Sequence, residues 1–121
     1  EARFGPWEAE WGRAAARLLL NDGAAFDAVI CQNDVLARGC IEELERNGCR
    51  VPQDVAVIGH DNSPDYVSYA HPLLTSIDDN NEMLGRQAAL CLLDAIAGHP
   101  HHGVERVPVK LIQRESTLPL D

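Results

Sequence analysis

The chain has 121 residues, 45% of them hydrophobic and 24% charged, which is the composition of one ordinary globular domain. Its formal net charge of -9 argues against a surface that holds nucleic acid phosphates. No apolar run approaches the roughly 20 residues of a membrane span, so no membrane partner is expected.

No secretory leader is visible, and a start without Met leaves room for an upstream part. The cysteines Cys31, Cys40, Cys49 and Cys91 form no C-x-x-C pair. They read as small thiols in a reducing compartment, not as a disulfide framework or a zinc set.

Residues 1 to 6 form a polar lead-in, and Pro6 suits a position at or just before a helix start. From Trp7 to Asn21, Trp7, Trp11, Ala14, Ala15, Leu18 and Leu19 recur at spacings of three and four, on one helix face. Asn21, Asp22 and Gly23 end that helix. Periodicity makes Trp7 a hydrophobic anchor of the first turn; an aromatic platform at a pocket mouth is the other reading.

Asp27 to Cys31 is apolar on both faces, as suits a strand covered by helices on each side. Asn33 and Asp34 are both N-cap candidates for the next helix. Only one can be the cap, which leaves the other free to face a ligand. The helix carries Leu36, Ala37, Cys40, Ile41 and Leu44 on its apolar side and stops at Gly48. Glu42 and Arg46 form an i,i+4 pair on its wet side. Ala37 and Gly39 are small enough to permit close helix approach. A second strand, Val55 to Ile58, ends in Gly59, His60 and Asp61. Parallel strands need a crossover of this kind. Ligands of open α/β sheets sit at the carboxyl ends of the strands, so Asn33, Asp34 and Asp61 are the first site candidates.

Gly59 to Asp65 is turn chemistry. A short amphipathic piece with Tyr66, Val67 and Tyr69 follows, then Pro72 and a short strand, Leu73 to Ile77. Asp78, Asp79, Asn80 and Asn81 lead into a strong helix with Leu84, Ala88, Cys91, Leu92, Ala95 and Ile96 as apolar positions and Gly98 as its close. His99, His101 and His102 could bind a metal. No carboxylate or Cys neighbours them closely, however, so they read as solvated surface and no metal is expected. Arg106 to Gln113 alternates as a strand, and the tail to Asp121 is polar and then Pro-containing. The order αβαβ(α)βαβ is an α/β pattern.

The chain has no G-x-S-x-G elbow, P-loop, G-x-G-x-x-G or H-E-x-x-H motif. His60 beside Asp61 lacks an evident nucleophile. Neither an enzyme nor a cofactor is expected. Asp61, Asp65, Asp78 and Asp79 read as caps and turn formers before a hard-metal site.

Five stretches in order resemble the effector-binding domain of LacI/GalR-type transcription regulators. They are Asn33-Asp34-Val35-Leu36-Ala37-Arg38-Gly39, Gly48 to Asp61, Pro72-Leu73-Leu74-Thr75-Ser76-Ile77, Leu84-Gly85-Arg86-Gln87-Ala88-Ala89, and Leu111 to Thr117. Any one alone is weak; five at the family's spacing are specific. The resemblance implies a parallel-sheet, three-layer α/β/α fold of the periplasmic-binding-protein type, of which this chain is the later part. Residues 1–77 and 104–117 would belong to the second subdomain, and the crossover helix, 78–98, to the first. That helix would then need another partner for its apolar face.

The resemblance further implies a homodimer that binds a sugar-like effector in the cytoplasm and meets operator DNA only through an N-terminal domain. Asn33 and Asp61 match effector-bonding positions, Trp7 a stacking aromatic, and Asp79 a polar contact from the crossover. Val35, Leu36, Gly39, Glu43 and Tyr69 would lie in the dimer interface. His60, Asn62, Asp79 and Asn81 depart from the family's usual residues. A periplasmic sugar-binding protein of a transport system is the alternative.

Overall fold

The computed structural model describes residues 2–23 and 25–117; the Pro-containing end of the tail, 118–121, lies outside the described residues. In chain order the elements are α1 (Ala9–Asn21), β1 (Ala28–Ile30), α2 (Asp34–Arg46), β2 (Ala56–His60), α3 (Pro64–Val67), β3 (Thr75–Asp78), α4 (Asn81–Ile96) and β4 (Lys110–Ile112). The sheet order is β1-β2-β3-β4. β1, β2 and β3 run parallel, with Val29 opposite Val57 and Ile58 opposite Thr75. β4 closes the sheet antiparallel, with Ile77 opposite Leu111. The chain is thus an α/β fold with a mostly parallel sheet, as expected.

α2 sits at the centre. Its inner face buries Ala37, Ile41 and Leu44 against Val57 and Leu74. Leu44 and Leu74 are fully buried. Truncating either to Ala would cost about 2–5 kcal/mol in transfer and cavity terms. α1 crosses α2 at very short range because each helix offers a glycine. A Cβ on Gly12 would lie 2.2 Å from the Leu36 carbonyl oxygen, and one on Gly39 would lie 2.0 Å from the Ala9 carbonyl oxygen. Ion pairs flank the crossing: Arg13 to Glu42 at 2.8 Å and Arg17 to Glu43 at 2.9 Å. Glu42 therefore pairs across to α1, not with Arg46 along its own helix.

This crossing bears on two expected interface residues. Gly39 and Glu43 are buried, and α1 of the same chain covers them. Val35 and Leu36 are half-buried, and Tyr69 is 61% exposed.

Other differences follow from where partners are present. α1 begins at Ala9, after an extended Glu8 at φ -134°, so Trp7 lies before the helix and does not anchor its first turn. Ala28 and Ile30 are exposed, so β1 is covered on the Val29 side. β4 is shorter than its alternation suggests, because β3 offers only Ser76 to Asp78 for pairing. No residue of α4 is buried, and Leu84, Leu92 and Ile96 stand exposed. The periodic apolar face of α4 is therefore present without a partner among the described residues.

The segment after α3 is held from below by Arg38. Its buried guanidinium donates to the carbonyl oxygens of Tyr66 (2.5 Å), Pro72 (2.8 Å) and Val67 (3.3 Å). The same group lies 5.4 Å from the Tyr69 ring centroid, a cation–π contact that places Tyr69 on the surface.

Candidate ligand-binding site

The carboxyl ends of β1, β2 and β3 lie side by side, and each continues into polar residues. At the end of β1, the Cys31 N–H donates to the Ile58 carbonyl at 2.8 Å and extends the ladder. Asn33 follows in extended conformation, φ -154° and ψ 169°, and its Oδ1 accepts from the Leu36 N–H at 2.8 Å. It is the N-cap of α2, a role worth about 1 kcal/mol.

Asp34 turns inward. It is 1% exposed, and each carboxylate oxygen has a donor: Ser76 Oγ at 2.6 Å on Oδ1 and the Ser63 N–H at 2.7 Å on Oδ2. Burial pushes this carboxyl up, and the two hydrogen bonds from Ser76 and Ser63 draw it back down. Gly59 makes room for it, since a Cβ there would lie 2.2 Å from Asp34 Oδ1. The expectation that the residue not acting as cap would face a ligand is corrected: Asn33 caps, and Asp34 is an internal tie.

That tie sets the turn after β2. Asp61 and Asn62 both have left-handed backbones, φ 97° and 50°, which cost non-glycine residues energy and persist only where neighbours fix them. The Asp61 N–H donates to the Ile77 carbonyl at 2.9 Å. The Asn62 N–H donates to Ser76 Oγ at 3.0 Å, and Ser76 Oγ donates on to Asp34. The Asn62 side chain is held at both ends, donating to Asp78 Oδ2 at 3.2 Å and accepting from Arg114 Nη2 at 2.7 Å. The strained turn is thus fixed by α2, β3 and the segment after β4 together, and it presents Asp61 outward.

His60 links two acids, the exposed Asp61 and the half-buried Asp79. Its Nδ1 lies 3.3 Å from Asp61 Oδ1 and its Nε2 lies 3.2 Å from Asp79 Oδ1. One donor-capable ring and two carboxylates therefore cluster at the ends of β2 and β3, and their ligand atoms lie within 4.8 Å of one another. Asp78 is not in this cluster. It accepts from Asn80 N–H at 2.8 Å and from Asn62, which is turn formation as expected.

Of the expected ligand residues, Asp61 and Asp79 come together around His60. Asn33 lies at the end of the neighbouring strand and has its oxygen occupied by the cap. Trp7 is 67% exposed and lines a separate cavity of about 270 Å³ between α1, β1 and the start of α2, with Trp11, Val29, Gln32 and Leu36. Neither Asn33, Asp61 nor Asp79 lines that cavity. Sequence reasoning missed Asp34, Ser76 and Arg114 as the supports of the turn. The one available signal was the Asn33-Asp34 pair, in which a single cap leaves one polar side chain to account for.

Polar residues gathered at the carboxyl ends of adjacent parallel strands stand where open α/β sheets generally hold their ligands. The chain belongs to the periplasmic binding protein-like domain family, whose sequence profile matches residues 3–117. It is 36% identical over 114 residues to the HTH-type transcriptional regulator CelR of Thermobifida fusca, covering 93% of this chain and 33% of that protein. It is 33% identical over 116 residues to the lactose operon repressor of Escherichia coli (strain K12), covering 96% of this chain and 32% of that protein. Among solved structures, the lac repressor dimer bound to operator and the anti-inducer ONPF superposes with a TM-score of 0.88 at 32% identity, over 95% of this chain and 40% of that one. The CelR–cellobiose complex gives 0.80 at 36% identity, over 93% of this chain and 34% of that one. This chain spans about a third of the length of the curated relatives it matches. The two relatives named are a transcriptional regulator and an operon repressor. No described helix is long and apolar enough to cross a membrane.

Proposed function

We propose that this chain is the ligand-sensing and dimerisation part of a cytoplasmic LacI-type regulator, and that its effector is sugar-like. The observation that carries the reading is the fixed left-handed turn at Asp61 and Asn62. Strain of this kind, tied down by three separate elements, is what a preorganised binding residue requires. Asp61 and Asp79 accept from effector hydroxyls, His60 orients both, and the Asn33 Nδ2 donates while its Oδ1 stays on the cap. Trp7 supplies an apolar platform from its own cavity. CelR was solved with cellobiose, which supports a saccharide as the ligand class.

The opposite wall of the cleft belongs to a first subdomain, and α4 (within residues 78–98) packs there, which accounts for its exposed Leu84, Leu92 and Ile96. Residues 1–77 and 104–117 form the second subdomain. The dimer face uses Val35, Leu36 and Tyr69, the last set in place by Arg38. Operator contact comes through an N-terminal domain, in keeping with the net charge of -9 on this segment. The effector acts by population shift: it binds one arrangement of the subdomains better than the other and changes operator affinity by that difference.

A thermal-shift screen of the full-length protein against sugars and nucleosides tests the reading. A ligand at a hundred times its Kd stabilises the native state by about 2.7 kcal/mol and raises Tm accordingly. Asp61→Ala should abolish the rise for the sugar that gives it. A sugar-induced rise that survives Asp61→Ala would refute the assignment.

A further inference from the structure

The histidine tract after α4 is not isolated as its sequence suggests. His101 folds back on α4, where its Nε2 lies 2.8 Å from Asp94 Oδ2 and its Nδ1 lies 3.1 Å from Glu105 Oε1. Cys91 Sγ lies 3.8 Å from Glu105 Oε2. The ligand atoms of Cys91, His101 and Glu105 all lie within 4.8 Å of one another. We propose that Cys91, His101 and Glu105 form a site for zinc or a zinc-like divalent transition metal, separate from the effector site.

The chemistry selects the ion. Thiolate, imidazole and carboxylate together suit zinc and cobalt, whereas calcium and magnesium take oxygen ligands. Tetrahedral ligands at zinc bond lengths of roughly 2.0–2.3 Å stand about 3.3–3.8 Å apart, near the spacings already present. The ring is also oriented as a metal-bound histidine is. With Nδ1 turned to the metal side, Nε2–H donates to Asp94, the carboxylate–histidine arrangement that fixes tautomer and basicity. Gln87 Nε2 donates to Glu105 Oε2 at 2.8 Å and steadies that carboxylate. Asp94 stands in the last turn of α4, where the helix dipole favours a cation. The His101 and Glu105 side chains are 44% and 47% exposed in this chain. On binding, the Cys91 thiol releases its proton to solvent and the sulfur lone pair forms the metal bond. Three protein ligands leave a fourth position for water. The metal would clip the loop after Gly98 to α4 and so set the path from α4 into β4.

Cobalt(II) titration of the full-length protein, under a phosphine reductant, tests the site through the thiolate-to-cobalt charge-transfer band. The band should appear and saturate at one equivalent. It should vanish in Cys91→Ser, persist in Cys49→Ser, and need about 10–100-fold more cobalt in Asp94→Asn, as for loss of an outer-shell partner. His101→Gln, an exposed substitution, should also abolish it. A wild-type protein without the band, or a band retained in Cys91→Ser, overturns the proposal.

Discussion

Gly59 and Asp34 are a matched pair. The carboxylate of Asp34 occupies the space a side chain on Gly59 would take, 2.2 Å from the ideal Cβ position. Asp34 in turn holds Ser63 and Ser76, and Ser76 holds Asn62. The turn that presents Asp61 therefore depends on an absent side chain two residues upstream in β2. Gly59→Ala should destabilise the protein by about 1–3 kcal/mol, the range for overpacking a filled interior. Asp34→Ala should cost about 1–3 kcal/mol for each buried donor left without an acceptor. In the double variant the Gly59→Ala cost should shrink, giving a coupling of about 0.5–3 kcal/mol by denaturant unfolding. Strict additivity would mean that the two residues do not share the space described.

Asn33 has two groups with separate duties, and substitutions can part them. Asn33→Ala removes the cap and should cost about 0.5–2 kcal/mol of stability. Asn33→Asp keeps an acceptor for the Leu36 N–H but loses the Nδ2 donor. Its melting temperature should stay near that of the wild type while effector affinity falls. Calorimetry on Asn33→Asp showing wild-type affinity would remove Asn33 from the ligand site.

The crossing of α1 and α2 makes Gly39 a packing residue. A Cβ there meets the Ala9 backbone carbonyl at 2.0 Å, and backbone cannot swing aside as a side chain can. Gly39→Ala should lower Tm by an amount independent of protein concentration. A variant with unchanged Tm at high concentration but a larger monomer fraction by sedimentation would restore Gly39 to the dimer face.

Arg50 and Asp54 give a pH prediction. Hydrogen bonds from the Arg50 side chain and backbone hold the Asp54 carboxyl at about 2, below the usual carboxylate range. A depressed carboxyl stabilises the fold above its unfolded value of about 3.9 and loses that contribution as pH falls toward its folded value. The Tm gap between the wild type and Arg50→Ala should therefore be full above about pH 4 and shrink steadily toward pH 2. A gap that stays constant over that range would show that the pair is not formed.

The strand–helix–strand core was legible from the sequence because its signals are local: apolar runs, a cap pair and a glycine stop. So was the placing of polar residues at the carboxyl ends of β1 and β2. The rest depended on contacts between segments far apart in sequence. Asp34 is tied to Ser76, 42 positions away, and Asn62 to Arg114, 52 positions away. No window of periodicity carries such pairings. Gly39 read as a residue for close approach, which it is, but its partner proved to be α1 of the same chain. Trp7 fits a helical stripe by spacing, yet the extended backbone at Glu8 leaves it outside the helix. His101 looked solitary because Asp94 and Cys91 lie upstream of Gly98, beyond the turn that brings the loop back.

The central claim is that Asp61 couples a sugar to operator affinity. The direct measurement is fluorescence anisotropy of the full-length protein on its operator, titrated with the sugar found by thermal shift, for the wild type and Asp61→Ala. The wild type should change operator affinity on sugar addition by the 5–150-fold typical of allosteric coupling, roughly 1–3 kcal/mol. Asp61→Ala should bind operator normally and show no response. An equal sugar response in both proteins would contradict the account.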